Sequence, residues 1–356
     1  MTGSFEESFV AAGQSDASLI TVVIVTYGNR HEYLAQVIAS VARAAIRRIV
    51  VVYNGNFEEL KAPSHPLVDS VVLEANIGSA GGYEAGLRRA LDTGAEFIFL
   101  LDDDNLPADN CIARLLATYR LLNAREDVCL QAFRPNLEWH RLLVKTGTHT
   151  LARTNTFGWF HLANERYLLR RQVGGSPCSA SDRPPFPIIR THVACYGGLF
   201  LHRKVVEKIG FPDARYFCYY DDIEFTERIT LAGVNIYLCH HILVEDIETS
   251  WHLETARCHP AFSGATADAR IYLDVRNAIF FNRRRITNKF VYAINAGLFW
   301  LGILYLAAFR SENVKLSISR LGLVARAVRD GHGKVLSTDQ RKLARQIASA
   351  QSPHNS

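Results

Sequence analysis

The chain has 356 residues, enough for one large domain or one and a half ordinary ones, with hydrophobic residues at 48% and charged residues at 21%. That balance belongs to a folded globular protein and excludes an intrinsically disordered one. The formal net charge of +5 conceals an asymmetry: between Arg283 and Arg345 stand thirteen Lys and Arg against three acids, about +10, so the remainder sums to about −5.

In chain order, residues 1–18 read as an N-terminal lead. The first ten carry Glu6 and Glu7 and no basic stretch before an apolar run, so no signal peptide is expected. Seven Cys, an odd number without a CxxC, point to reduced thiols and a cytoplasmic address rather than a disulfide framework. Four β-branched or apolar runs follow: "LITVVIVTY" (19–27), "RRIVVVYN" (47–54), "VDSVVLEA" (68–75) and "EFIFLLDDD" (96–104). Helix-like stretches lie between the first and second (His31–Ala45) and between the third and fourth (Ser79–Leu91). Doubly buried strands alternating with helices predict an α/β fold around a mostly parallel sheet. Ligands of such sheets bind at the carboxyl ends of the strands. Here those ends carry Thr26, Asn29, Arg30, Asn54, Asn76 and Asp102 to Asp104, so one crevice is expected.

The chain has no GxxxxGK[ST] and no GxGxxG after the first strand, which leaves a P-loop NTPase and a dinucleotide dehydrogenase unsupported. Instead "NIGSAGGYEAG" (76–86) opens a helix, where small residues admit a phosphate to the backbone and the helix start favours an anion. A helix cap with close helix–sheet packing explains the same glycines equally well. The run Asp102-Asp103-Asp104 is harder to explain blandly. Three like charges at the end of a buried strand are costly without a cation. Alternation along a strand lets Asp102 and Asp104 converge while Asp103 points away, which suits Mg2+ or Mn2+ shared with substrate phosphates. Capping of a helix starting near Pro107 accounts for one acid, not three.

The stretch from Phe133 to Thr191 holds Trp139, Trp159, Tyr167, Gly174-Gly175 and "RPPFP" (183–187). Aromatics in a loop-rich insertion suit a sugar-stacking acceptor site, Trp159 first, or a lid, and equally a patch under a long loop. The tail contains "FVYAINAGLFWLGILYLAAF" (290–309), uncharged and long enough to cross a bilayer, with basic residues on both flanks. "VKLSISRLGLVARAVRDG" follows with apolar and basic residues at helical spacing. Together they predict monotopic attachment to anionic lipids ahead of a true span, and a membrane rather than a nucleic acid as partner. A buried core helix would explain 290–309 but not the basic surroundings.

The ordered set "TVVIVTYGNR", "VVVYNGN", "NIGSAGGYEAG" and "FLLDDDNLP" resembles the donor half of inverting family 2 glycosyltransferases with the GT-A fold, most of all the galactofuranosyltransferases and bacterial rhamnosyltransferases. "YGGLFLHRKVVEKIGFPDARYFCYYDDIEFTERITLAG" (196–233) is similar to the family's acceptor and base segment, and "YLDVRNAIFFNRR" (272–284) to its Tyr-x-x-x-Arg-Asn stretch. The resemblance covers about Thr21 to Arg284 and the tail. It implies residues 19–132 as the nucleotide-sugar half of a GT-A domain, 133–284 as the acceptor and catalytic half, and 285–356 as membrane-associating helices.

On those positions the resemblance implies that Thr26, Tyr27, Arg30, Asn54, Asn76 and Gly78 hold the nucleotide, with Asp102 and Asp103. Asp102 and Asp104 position ribose and metal. Asp222, the second Asp of "YYDDIEF", is the implied general base, with Asp221 and Glu224 beside it. Two acids at a helix N-terminus, favoured by the helix dipole, is the structural alternative for Asp221 and Asp222. For the third metal ligand the chain offers His240, His241 and His252. His252 is favoured, and Asp246 departs from the pattern by standing where some relatives carry the His. The implied activity is a metal-dependent hexosyl transfer to a lipid-linked glycan. UDP-galactofuranose is the favoured donor and dTDP-L-rhamnose the alternative, on the inner face of the plasma membrane, with oligomer formation open. A sugar-nucleotide nucleotidyltransferase would need a Gly-rich basic loop after the first strand, where "TYGNRHE" has one glycine. A glycan-binding module without turnover is the non-enzymatic alternative.

Overall fold

The first buried run forms strand β1 (Ile20–Thr26), and all seven of its residues are buried, as expected of a strand covered on both faces. The computed structural model describes residues 19–55, 65–122, 126–147, 152–163, 188–248, 259–333 and 336. These fall into two compact units, one formed by Met1–His149, Pro184–Ala214 and Asp221–Thr249, the other by Thr150–Arg183, Arg215–Tyr220 and Ser250–Ser356.

In the first unit β1 is followed by α1 (His31–Val41), β2 (Arg48–Asn54), β3 (Val68–Leu73), α2 (Gly78–Asp92) and β4 (Phe97–Asp102). Next come β5 (Asn105–Pro107), α3 (Cys111–Leu121), β6 (Val128–Phe133), α4 (Glu138–Thr146) and β7 (Ile188–Thr191). The unit closes with β8 (Leu199–His202), α5 (Arg203–Ile209), α6 (Asp221–Leu231) and β9 (Asn235–Asp246). The strands form one sheet in the order β3-β2-β1-β4-β8-β6-β9-β5, with β7 also on β9. β1 to β4 run parallel, β8 is antiparallel to both β4 and β6, and β9 is parallel to β6. The carboxyl ends of β1, β2, β4, β6 and β9 therefore share one rim with the amino end of β8. Alternate residues feed two cores: Val22 and Ile24 pack on one face with α1 and α3, Val23 and Val25 on the other with α2 and α6.

Helix α2 lies unusually close to the sheet. A Cβ on Gly82 would stand 2.7 Å from Val25, and one on Gly86 would overlap Val23 and meet Val52 at 3.1 Å. The helix after the acidic run begins at Cys111 rather than near Pro107. Asn105–Pro107 instead pairs with Val244–Asp246 of β9, a long-range pairing that local pattern does not reveal.

The second unit contains α7 (Asp268–Asn282), α8 (Lys289–Phe309) and α9 (Val314–His332). Gly331 of α9 packs on Arg276 O and Ile279 of α7, closer than any Cβ would allow. Helix α8 buries only Asn295, Phe299, Ile303 and Ala307, one residue per turn on a single stripe. Phe290, Leu301, Leu304, Tyr305 and Phe309 are exposed, so α8 is not the buried core helix considered above. Asn295 is hydrogen-bonded to Asn155 O and to Leu162 N, and Trp159 meets Phe299 edge-on at 5.3 Å. Phe217, Tyr219 and Tyr220 all adopt left-handed backbone, which is strained for aromatic side chains. Asn277 supports this segment: its amide donates to the carbonyls of Tyr216, Cys218 and Tyr219 at 2.8–2.9 Å. Arg276 Nε donates to Asn277 Oδ1 at 2.9 Å and so orients that amide. Five of the cysteines are described, Cys111, Cys129, Cys195, Cys218 and Cys239, and all are free thiols.

Candidate active site

The acidic run begins at the last residue of β4 and continues into a turn. Asp103 turns inward. Its carboxylate accepts from Thr26 Oγ1 at 2.6 Å and from Arg30 Nε at 2.8 Å. Burial outweighs that support and pushes its pKa up to about 7. Arg30 also meets Asp104 at 3.1 Å and pairs with Glu248, and its guanidinium lies 5.4 Å from the rings of Tyr27 and Tyr33. Burial works against its charge, but Asp103 and its other partners more than compensate, so it stays a cation.

Because β4 ends at Asp102, the expected strand alternation does not extend to Asp103 and Asp104: Asp104 shares Arg30 with Asp103 and also feels the charge of Asp102. Asp104's carboxyl is raised above the ordinary carboxylate value first by burial and then by the charge of Asp102. Asp102 Oδ1 accepts from the Tyr83 hydroxyl at 2.7 Å, and Asp102 Oδ2 lies 3.7 Å from Arg134 Nη1. Arg134 follows β6, and its Nε and Nη2 both donate to Asp246 Oδ1 at 2.9 and 2.5 Å. Asn105 joins the cluster, donating to Asp246 at 2.9 Å and to Asp104 at 3.2 Å and accepting from Asp102 N at 3.0 Å.

Asp221 and Asp222 open α6. Asp221 is buried and accepts from Ser79 Oγ at 2.7 Å, which ties the start of α6 to the start of α2. Its carboxyl is raised by burial and then by the charge of Asp222. Asp222 Oδ1 accepts from Ile223 N at 2.8 Å. Its carboxyl is also raised first by burial; the Ile223 bond opposes this, Asp102 raises it further and Arg134 lowers it. Asp222 therefore senses both Asp102 and Arg134 across the rim. Glu224 is spent elsewhere, paired with Arg228 at 3.0 Å while Arg228 also holds Phe211 O.

The remaining sequence candidates fall into place less directly. Asn54 accepts from Ile77 N and donates to Gly78 O, and Asn76 accepts from Gly78 N, so both carboxamides shape the entry into α2. Gly78 has φ +79°, the left-handed region that favours glycine. His241 Nε2 is 2.9 Å from Thr118 Oγ1, and His240 packs on Phe133 at 4.6 Å. His252 lies outside the described residues, as do Tyr167, Gly174, Gly175 and 183–187. Among the described residues no group of three or more His, Cys, Asp or Glu is arranged to hold a metal. The Asp102 and Asp104 carboxylates supply two hard oxygen ligands, which fits Mg2+ or Mn2+ completed by substrate phosphates rather than an all-protein cage.

Sequence reading missed Tyr83, Arg134, Asn105, Ser79 and Gly197. The signal for Arg134 was present: it follows the buried run Val128–Phe133 just as the aspartates follow β4. Gly197 leaves room for the cluster, since a Cβ there would overlap Asn105 Oδ1 and Arg134 Nη1 and stand 3.0 Å from Asp102 Oδ2.

Residues 21–183 match the sequence model described as Glycosyl transferase family 2. The chain is 26% identical to galactofuranosyltransferase GlfT1 of Mycolicibacterium smegmatis over 230 residues, 62% of this chain and 68% of the relative. It is 28% identical to galactofuranosyltransferase GlfT1 of Mycobacterium tuberculosis over 167 residues, 46% of this chain and 47% of the relative, so it spans about half of that protein. Among solved structures it is similar to GalNAc-T7 with UDP, GalNAc and Mn2+, at 16% identity and TM-score 0.47, over 72% of this chain and 47% of that one. Over residues 21–183, the stretch that holds the acidic run and most of the strand-end crevice, the chain is therefore similar to family 2 glycosyltransferases.

Proposed function

We propose that the protein is a metal-dependent inverting glycosyltransferase that moves galactofuranose from a UDP-linked donor to a hydroxyl of a lipid-linked glycan in bacterial cell-surface polysaccharide synthesis. The observation that carries this reading is the common rim, where Asp102 stands within electrostatic reach of both Asp104 and Asp222. The galactofuranose donor is supported by the relatives named galactofuranosyltransferases. A dTDP-L-rhamnose donor would use the same site.

Thr26, Arg30 and Asp103 form a charged floor for the nucleotide beside Tyr27, while Asn54, Asn76 and Gly78 set the backbone at the start of α2. Asp102 and Asp104 would hold the metal, with His252 as the third ligand. When bound, the metal neutralises the diphosphate leaving group. Asp222 accepts the proton of the acceptor hydroxyl as its oxygen bonds to the anomeric carbon and the carbon–oxygen bond to the diphosphate breaks. Attack from the face opposite the leaving group inverts that carbon. Asp221, held by Ser79, positions the start of α6. The exposed apolar face of α8 lies against the inner leaflet of the plasma membrane, with basic residues meeting anionic headgroups.

The test is calorimetric titration with UDP, dTDP and GDP, each with and without Mn2+, on wild type and Asp104→Ala. UDP binding that needs Mn2+ and Asp104 supports the reading, and a dTDP preference moves the donor to rhamnose. Binding indifferent to both Mn2+ and Asp104 refutes it.

A further inference from the structure

We propose that Tyr83 and Arg134 are positioning residues that hold the Asp102 carboxylate from opposite sides. The inference rests on the reading of Asp102 as a donor-side ligand and adds what sets its orientation. In the sheet register Asp102 pairs with Val25 of β1. Gly82 brings α2 against Val25, so the next residue, Tyr83, is carried to the height of the β4 terminus. Tyr83 is fully buried, and its ring lies 4.1 Å from that of Tyr196, which leaves the phenol one direction in which to point. Its hydroxyl donates to Asp102 Oδ1 at 2.7 Å.

The opposite oxygen faces Arg134. The guanidinium is anchored by two donors on Asp246, which fixes its plane and leaves Nη1 directed at Asp102 Oδ2, 3.7 Å away, and at Cys195 Sγ. A single-point cation such as Lys cannot serve both carboxylates in this geometry. Asn105 Oδ1 accepts from the Asp102 backbone N–H at 3.0 Å, which fixes the main chain from which this carboxylate projects. A carboxylate preset in this way loses little rotamer freedom when a cation and a diphosphate arrive.

Tyr83→Phe keeps the ring and removes only the hydroxyl, so it is the first test, with Arg134→Lys as the second and Asp102→Asn as the control. UDP affinity is measured by calorimetry with and without Mn2+, Mn2+ affinity by electron paramagnetic resonance, and folding by thermal midpoint. Tyr83→Phe is expected to weaken the Mn2+-dependent UDP affinity about tenfold, the worth of one charge-assisted hydrogen bond, and to leave Mn2+-free UDP binding unchanged. Arg134→Lys should move the same quantity in the same direction. If both variants bind Mn2+ and UDP as wild type while Asp102→Asn does not, the positioning role is wrong and the role of Asp102 stands. If Asp102→Asn itself binds normally, the reading of Asp102 fails and takes the positioning role with it. Equal loss with and without Mn2+ in Tyr83→Phe would mark general packing damage and overturn the proposal.

Discussion

Gly197→Ala tests the site at its tightest point. The added methyl would overlap Asn105 Oδ1 and Arg134 Nη1 and stand 3.0 Å from Asp102 Oδ2, against the ~3.5 Å at which non-bonded atoms settle. To reach that separation Asn105 must retreat by about 1.5 Å and Arg134 by about 1 Å. Neither can do so freely, because Asn105 bonds Asp102 N, Asp104 and Asp246, and Arg134 bonds Asp246 twice. Overpacking of this kind costs about 1–3 kcal/mol, and each hydrogen bond lost adds about 1 kcal/mol. The expected outcome is a destabilisation of about 2–4 kcal/mol, a thermal midpoint several degrees lower, and sugar transfer reduced about 100-fold by misplacement of Asp102. Scanning fluorimetry and a transfer assay read the two effects. A variant with wild-type midpoint and turnover would refute the packing argument.

Other expectations follow from the same geometry. Asp103 has a folded-state pKa of about 7 against an unfolded value of 3.8, so the folded chain retains a proton that the unfolded chain releases. Its contribution to stability is present below 3.8 and is lost as pH climbs through 7. The midpoint of the metal-free protein should therefore fall over that window, and Asp103→Asn should flatten the fall. Asp222→Asn should abolish transfer and leave UDP binding intact, as a base contacts the acceptor proton and not the nucleotide; loss of UDP affinity would argue for a structural role instead. Asn277→Ala removes three hydrogen bonds from a segment with three left-handed aromatic residues, although Tyr216 O keeps Arg276 and Cys218 N, and should cost about 2–3 kcal/mol in a denaturant titration. Leu301→Asp and Leu304→Asp, at 63% and 51% exposed positions on α8, should leave the thermal midpoint unchanged and reduce sedimentation with anionic vesicles. Unaltered sedimentation would remove that face from the membrane contact.

By itself the sequence determined the parallel half of the sheet, because buried β-branched runs and helical intervals are local signals that survive without tertiary knowledge. It also determined that Thr26, Asn54 and Asp102 to Asp104 gather at strand ends, and that Asp221 and Asp222 open a helix. It left the "GGY" in α2 undecided between a phosphate cradle and tight packing. Only the tertiary structure shows Gly82 against Val25 and Tyr83 against Asp102. The β5–β9 pairing, and with it the place of Pro107, depends on residues about 140 positions apart that no local pattern connects. The largest gap was Arg134. A lone Arg after a strand looks like any solvated cation until β6 is seen to run parallel to β4 and β9. That shared direction puts Arg134 between Asp102 and Asp246, where burial makes each charge depend on the others.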